Sequence, residues 1–181
     1  MSEAYPRVTE ILRAMELTKP YPDLPAVRWG RDRAIELYEQ GCLDPSLLHG
    51  DVAGPFAAYR AFKEETGYTP LAFEEPVVHA GLRYRGTLDS RGRYEGEMAI
   101  LDFKCSKQPD MTAAAYQLGA YALALASTDA EGLGTPFVDL PPRWVIQLGE
   151  QSYRAHNVTS VRAVEVFEAA AIVYWAQQEG L

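Results

Sequence analysis

Cysteine and histidine are scarce in this chain. Its 181 residues include two cysteines, Cys42 and Cys105, and three histidines. The cysteines are far apart and lack the spacing of metal-binding pairs, which argues against a disulfide framework and against a structural zinc site. No two histidines have ligand spacing either. Any metal bound by this chain is therefore expected to have oxygen ligands.

Long hydrophobic segments are also missing. No segment approaches the roughly 20 consecutive apolar residues of a transmembrane helix, although 48% of all residues are hydrophobic. The first residues, Met1-Ser-Glu-Ala-Tyr-Pro-Arg7, lack the basic and apolar regions of a signal peptide. We therefore expect a cytoplasmic protein with no membrane partner.

Basic residues are fewer than acidic ones, 17 Lys and Arg against 25 Asp and Glu, which gives a formal net charge of −8. Proteins that bind nucleic acid without sequence preference usually carry an excess of Lys and Arg, so this balance counts against such binding without excluding it. Bound divalent cations would offset part of the acidic charge. Basic residues also cluster locally, as Arg28, Arg31 and Arg33, and as Arg83, Arg85, Arg91 and Arg93.

The order of predicted elements indicates an α/β fold. Apolar spacing and turn residues predict helices at 8–15, 26–40, 51–66, 109–126 and 160–178, and strands at 71–79, 82–91, 97–105, 144–148 and 152–156. A segment rich in Gly and Pro at 132–142 is predicted to be a loop. We expect a central mixed β-sheet flanked by helices. One domain would span 1–181, with a helical part at 1–69, a catalytic sheet and helix at 70–127, and a hairpin and helix at 137–181.

Three charged residues lie in two short apolar segments, Gly86-Thr-Leu-Asp89 and Ala99-Ile-Leu-Asp-Phe-Lys104. A two-residue turn at Glu95-Gly96 would pair these segments as a hairpin, because glycine suits the second position of a primed turn. That register places Asp89 opposite Asp102, with Lys104 on the same face. Opposed carboxylates destabilise a strand pair, whereas a divalent cation between them would reverse the sign of the interaction.

The same three residues allow two simpler interpretations than a metal site. The three side chains could be exposed, or Lys104 could be only a salt-bridge partner of Asp102. The strand is otherwise apolar, however, and a salt bridge would leave Asp89 unpaired; buried charges are rare unless paired or metal-bound. We favour a Mg²⁺ or Mn²⁺ site held by Asp89, Asp102 and the backbone carbonyl of Phe103. Lys104 would orient or deprotonate the water that attacks a phosphodiester.

Gln117 and Tyr121 lie one turn apart on the helix that follows the lysine strand. Together with the two segments above, they resemble the PD-(D/E)XK nuclease superfamily, and in particular its RecB-type branch. That branch includes phage exonucleases and the mitochondrial genome-maintenance exonuclease. The similarity covers most of positions 5 to 126. In chain order, the similar segments are Tyr5-Pro-Arg-Val-Thr-Glu-Ile-Leu12, Ala34-Ile-Glu-Leu-Tyr38, Glu74-Glu-Pro-Val-Val-His79, Gly86-Thr-Leu-Asp89, Leu101-Asp-Phe-Lys104 and Gln117-Leu-Gly-Ala-Tyr121.

The resemblance implies a role for each matching residue. Asp89 and Asp102 would bind the metal and Lys104 would be the catalytic lysine. Gln117 and Tyr121 would support the active site and contact DNA. The implied fold is the restriction-endonuclease-like core of this superfamily, and the implied partner is DNA, as single strands or duplex ends.

The chain departs from the family pattern at two positions. The helix with the first motif usually supplies a histidine to the metal, and Asp32 stands there instead. Asp32 is either a replacement ligand or an ordinary solvated residue. In the N-terminal segment, Arg7 replaces a serine that the family often uses near the DNA backbone, and an arginine can also bind phosphate. Arg7 and Thr9 are therefore expected to support DNA binding.

The sequence thus predicts a Mg²⁺- or Mn²⁺-dependent exodeoxyribonuclease of a bacterial or phage-infected cell. A role in recombination or repair follows from the resemblance alone. One alternative is a relative with the same fold that binds nucleic acid without turnover, since the usual histidine is missing. Another is an adaptor whose acidic surface binds a protein partner. The number of ions and the oligomeric state are left open.

Overall fold

The computed structural model describes residues 5–18, 25–48, 50–129 and 140–181. The loop predicted at 132–142 lies outside the described residues except for its last three positions. Residues 1–4 of the predicted helical part and residues 137–139 of the predicted C-terminal part also lie outside the described residues.

Within the described residues, five α-helices and five strands follow one another in the predicted order. Their bounds differ from the predicted ones by a few residues at most, because helix ends and strand ends depend on contacts made elsewhere in the fold. In chain order they are α1 (Val8–Ala14), α2 (Pro25–Glu39), α3 (Ala53–Thr66), β1 (Thr69–His79), β2 (Tyr84–Tyr94), β3 (Glu97–Lys104), α4 (Met111–Asp129), β4 (Arg143–Leu148), β5 (Tyr153–Asn157) and α5 (Val161–Gln178).

The strands form one mixed sheet in the order β1-β2-β3-β4-β5. Neighbouring strands are antiparallel except β3 and β4, which are parallel. Parallel neighbours need a crossover connection, and α4 lies between β3 and β4 in the chain. The N-terminus of α4 is capped by Asp110, which accepts a hydrogen bond from the backbone of Ala113 at 3.0 Å. The predicted α/β fold with a central mixed sheet flanked by helices is confirmed.

Each face of the sheet carries its own hydrophobic cluster. The first cluster joins Leu88 and Ile100 of the sheet to buried residues of α1, α4 and α5. The second joins Leu101 and Phe103 to buried residues of α2 and α3. Ile100 and Leu101 face opposite ways because successive side chains of a strand alternate between faces. No helix within the described residues is long and apolar enough to cross a membrane.

The alternation of side chains in β2 breaks at Asp89. Leu88 belongs to the first cluster, whereas Ser90, two residues on, hydrogen-bonds the Tyr68 hydroxyl of the second cluster at 2.7 Å. In a regular strand these two side chains would share a face. The neighbouring strand β1 shows a matching irregularity, because Glu74 has a positive φ of 46°. Asp89 therefore lies at the point where the side chains of β2 switch from one face of the sheet to the other.

The half-buried ring of His79 generates a pH dependence at the connection between β1 and β2. Its Nδ1 accepts a hydrogen bond from the backbone of Leu82 at 3.0 Å, and its ring stacks on Tyr84. Burial lowers the pKa of His79 below its ordinary value of 6.5. The unfolded chain therefore binds a proton before the folded protein does, so stability falls as pH drops below that value. The variant His79→Asn should lose less unfolding free energy than the wild type between about pH 7.5 and about pH 5.

Urea unfolding at both pH values measures this difference, because other titrating groups are common to the two proteins. Equal losses of stability in the two proteins would contradict the assignment.

Candidate functional site

The hairpin of β2 and β3 has the predicted register over most of its length. Tyr94 pairs with Glu97, and the pairing continues to Ser90 and Leu101. The two turn residues, Glu95 and Gly96, have φ values of 50° and 85°. Positive φ at both positions is the signature of the primed turn that the sequence predicts.

The ladder ends one pair short of Asp89 and Asp102. Instead of facing Asp102 as a ladder partner, Asp89 turns its carboxylate into the seam between the two strands. Its Oδ2 accepts a hydrogen bond from the backbone N–H of Phe103 at 3.0 Å. The prediction that Asp89 and Asp102 are paired in the ladder is therefore corrected, and the reason is the change of face in β2. The two carboxylates still lie next to the same peptide bond, since Asp102 immediately precedes Phe103.

Asp102 and Lys104 form a buried ion pair. The Lys104 Nζ lies 2.9 Å from Oδ1 and 2.8 Å from Oδ2 of Asp102. Asp102 is 1% exposed, Asp89 5% and Lys104 9%. All three adjoin Phe103: Asp89 bonds its backbone N–H, and Asp102 and Lys104 are its neighbours in sequence. Burial of this much charge costs free energy unless every charge has partners; Asp102 and Lys104 have each other, and Asp89 has the backbone of Phe103.

Arg31 of α2 enters the same seam from the opposite side of the sheet, and the sequence reasoning did not assign it to the site. Its Nη1 donates to the carbonyl oxygen of Phe103 at 2.8 Å and to the sulfur of Cys105 at 3.3 Å. It also forms an ion pair with Asp32, with a hydrogen bond from Nε at 2.5 Å. A signal was present in the sequence, because Arg31 lies one helical turn before the buried Ile35 and so shares its inward face.

The charge of Arg31 is coupled to both neighbouring aspartates. Burial alone would lower the pKa of its guanidinium, but the carboxylates of Asp32 and Asp89 outweigh this and raise the pKa above its ordinary value. Arg31 is therefore a permanent positive charge inside the site. The carboxylate of Asp32 faces this guanidinium. Within the described part of the chain, no three His, Cys, Asp or Glu side chains group closely enough to hold a metal ion.

Gln117 and Tyr121 meet as predicted on α4. The Gln117 Nε2 donates to the Tyr121 hydroxyl at 2.8 Å. Tyr121 packs closely on β2 at Gly86, where an added Cβ would come within 2.4 Å of the tyrosine ring. Glycine at position 86 is thus required by the approach of α4 to the strand that leads to Asp89.

The four predicted DNA-supporting residues line one cleft of about 340 Å³. The N-terminal segment reaches this cleft because Arg85 of β2 donates from its backbone to Pro6 at 3.0 Å and from Nε to the carbonyl of Tyr5 at 2.9 Å. Arg85 itself also lines the cleft. The lining residues include Arg7, Thr9, Arg85, Gly86, Thr87, Gln117 and Tyr121.

The donor set of the seam suits a hard divalent cation. Asp89, Asp102 and the Phe103 carbonyl are oxygen donors of, or next to, residue Phe103, and Mg²⁺ commonly binds through one or two carboxylates while keeping several waters. The carbonyl oxygen has two lone pairs and can accept from Arg31 while retaining a further site. The chemical types of these donors therefore match those that Mg²⁺ prefers, and the guanidinium of Arg31 lies on one of them, the Phe103 carbonyl.

Comparisons with known proteins assign no family. No protein-family model matches the chain, and no curated protein matches it. Among solved structures, one titled "Crystal structure of SSO0001" has 12% sequence identity and a TM-score of 0.39, covering 92% of this chain and 84% of that chain.

The close approach of Gly86 and Tyr121 gives a direct test of how α4 is seated on the sheet. In Gly86→Ala the new methyl group would displace the tyrosine ring and weaken its hydrogen bond with Gln117. We expect a loss of about 1–3 kcal/mol in unfolding free energy, the usual range for overpacking. The exposed neighbour Thr87 provides the control, because Thr87→Ala should change stability by less than about 0.5 kcal/mol. Chemical denaturation measures both, and equal effects would contradict the packing assignment.

Proposed function

We propose that this protein is a Mg²⁺- or Mn²⁺-dependent deoxyribonuclease, an exonuclease that hydrolyses phosphodiester bonds of single-stranded or end-frayed DNA. The observation that carries the proposal is the burial of three charged side chains around Phe103, those of Asp89, Asp102 and Lys104. A fold that needed only stability would gain more from apolar side chains at these positions.

Each of these residues has a role in the proposed hydrolysis. Asp89 and Asp102 would hold the cation, with the carbonyl of Phe103 as a further oxygen donor. When bound, the cation supplies a Lewis acid that polarises the phosphate and lowers the pKa of a bound water. Lys104, kept in place by Asp102, orients the attacking water and stabilises negative charge that develops on the phosphate.

The cleft beside α4 supports DNA as the substrate. Arg7 and Arg85 bring positive charge to it, while Thr9, Gln117 and Tyr121 add groups that hydrogen-bond phosphate and sugar oxygens. Local positive charge is needed because the whole chain carries a net charge of −8. Arginine suits this role because its fork of donors matches two phosphate oxygens.

The resemblance to the PD-(D/E)XK superfamily supports the same assignment. The similar segments stand in the family's order, and their charged residues meet at one seam while Gln117 and Tyr121 meet on the neighbouring helix. On that resemblance we propose a role in DNA recombination or repair. The expected location is the cytoplasm of a bacterial or phage-infected cell.

A second candidate is a nuclease-fold protein that binds nucleic acid or a protein partner without turnover. The observation that favours it is the internal neutralisation of the site, since Arg31 and Lys104 already pair with Asp32 and Asp102. Such pairing would weaken the demand for a cation. Cleavage and metal binding, measured separately, distinguish the two candidates.

Loss of the ammonium group should abolish turnover. In Lys104→Met the side chain keeps much of its length, and we expect cleavage of a labelled single strand with Mg²⁺ or Mn²⁺ to fall by about 100-fold or more. The exposed Lys107 provides the control, since Lys107→Met removes the same charge three residues away and should cleave like the wild type. Cleavage by neither the wild type nor the control would favour the binding protein.

Loss of one carboxylate should abolish metal binding. Asp89→Asn retains an oxygen that accepts from Phe103, so the fold is kept while the charge is removed. We expect calorimetric titration with Mn²⁺ to show saturable binding in the wild type and at least about tenfold weaker binding in Asp89→Asn. Asp110→Asn is the control, because asparagine caps a helix as well as aspartate does. Equal affinity in all three proteins would remove Asp89 from the site.

A further inference from the structure

Arg31 is a buried arginine at the centre of the seam. It is 2% exposed, far from the usual surface location of arginine. Its partners are the Asp32 carboxylate, the carbonyl of Phe103 and the sulfur of Cys105. Arg31 donates a hydrogen bond to the Phe103 carbonyl and interacts electrostatically with the Asp89 carboxylate. Both groups are oxygen donors of the proposed metal site.

The charges around the seam nearly cancel without any metal. Three carboxylates, those of Asp32, Asp89 and Asp102, face two cations, Arg31 and Lys104. Lys104 pairs with Asp102, while Arg31 pairs with Asp32 and lies in the field of Asp89. A divalent cation entering this site would meet a guanidinium already bonded to one of its ligands.

We propose that Arg31 is an internal counter-ion that competes with the divalent cation for Asp89 and the Phe103 carbonyl, so that metal binding displaces its guanidinium from that carbonyl. This inference rests on the proposed metal-dependent function. Asp32 is the anchor that holds Arg31 when the carbonyl is given up, because it engages a different edge of the guanidinium, Nε and Nη2. Asp32 thus acts on the metal site through Arg31.

The expected effect is large because the charges are close and poorly solvated. Arg31 is 2% exposed and lies 2.8 Å from the Phe103 carbonyl oxygen, so solvent screens its charge only weakly at this site. The net effect is smaller, because Arg31 moves away and keeps Asp32. We therefore expect removal of its charge to tighten Mn²⁺ binding by about tenfold or more.

The test is calorimetric titration of Mn²⁺ into the full chain and two variants of Arg31. Arg31→Gln removes the charge and should bind Mn²⁺ about tenfold more tightly than the wild type. Arg31→Lys keeps the charge and should bind within about threefold of the wild type. Arg143 is the matched control, since it is also buried and bonds backbone carbonyls, those of Pro141 and Ser160, away from the seam. Arg143→Gln should leave the Mn²⁺ affinity unchanged.

The outcomes separate this inference from the proposed function. Equal affinity in the wild type and Arg31→Gln overturns the competition and leaves the nuclease proposal standing. Tighter binding by Arg31→Lys equal to that of Arg31→Gln overturns it as well, because charge would not be the cause. Absence of saturable Mn²⁺ binding in every protein overturns both proposals.

A measurement on the wild type does not depend on whether any variant folds. The Nε–H group of Arg31 gives its own NMR signal, and Mg²⁺ saturation should shift this signal while that of Arg143 stays in place. An Arg31 signal that is unchanged at saturating Mg²⁺ would overturn the displacement.

Discussion

Four charged side chains, Arg31, Asp89, Asp102 and Lys104, are buried at the seam between β2 and β3, and the partly exposed Asp32 lies beside them. The rest of the site depends on how these five charges neutralise one another. Asp102 pairs with Lys104, and Asp32 pairs with Arg31. Asp89 bonds the backbone of Phe103 and lies in the field of Arg31. Removing one partner of a buried ion pair leaves the other charge uncompensated, which lowers the unfolding free energy by about 3–5 kcal/mol. Helix α2 and strands β2 and β3, which carry these residues, are therefore held to a common geometry by electrostatics as well as by packing.

The change of face at Asp89 determines where the charged side chains of the seam lie relative to one another. A strand that alternated regularly would keep the side chains of Leu88 and Ser90 on one face and send Asp89 to the other. Because β2 shifts at Asp89, its carboxylate reaches the N–H of Phe103 from within the sheet. The same shift leaves the ladder incomplete beside Phe103, and the guanidinium of Arg31 takes the carbonyl that the ladder does not use. One local irregularity thus admits both a carboxylate and a cation into the middle of a sheet.

Much of the fold could be predicted because its signals are local. Turn residues such as Glu95 and Gly96 identify the hairpin, and Asp110 identifies the start of α4. Gln117 and Tyr121 meet because residues one helical turn apart always do. The predicted pairing of Asp89 with Asp102 assumes that the ladder continues past Ser90 and Leu101, which it does not; no feature of residues 86–90 indicates the change of face. The sequence allows two roles for Asp32, and its ion pair with Arg31 is a third arrangement.

The sequence by itself determined the order of the elements, the hairpin turn and the residues that carry charge into apolar strands, because periodicity and turn chemistry act over a few positions. Tertiary structure alone decided that Arg31 meets the carbonyl of Phe103, a contact between residues 72 positions apart. It also brought the N-terminal segment beside α4 through Arg85. Such contacts depend on how helices seat on the two faces of the sheet, and that seating is a property of the whole packed core.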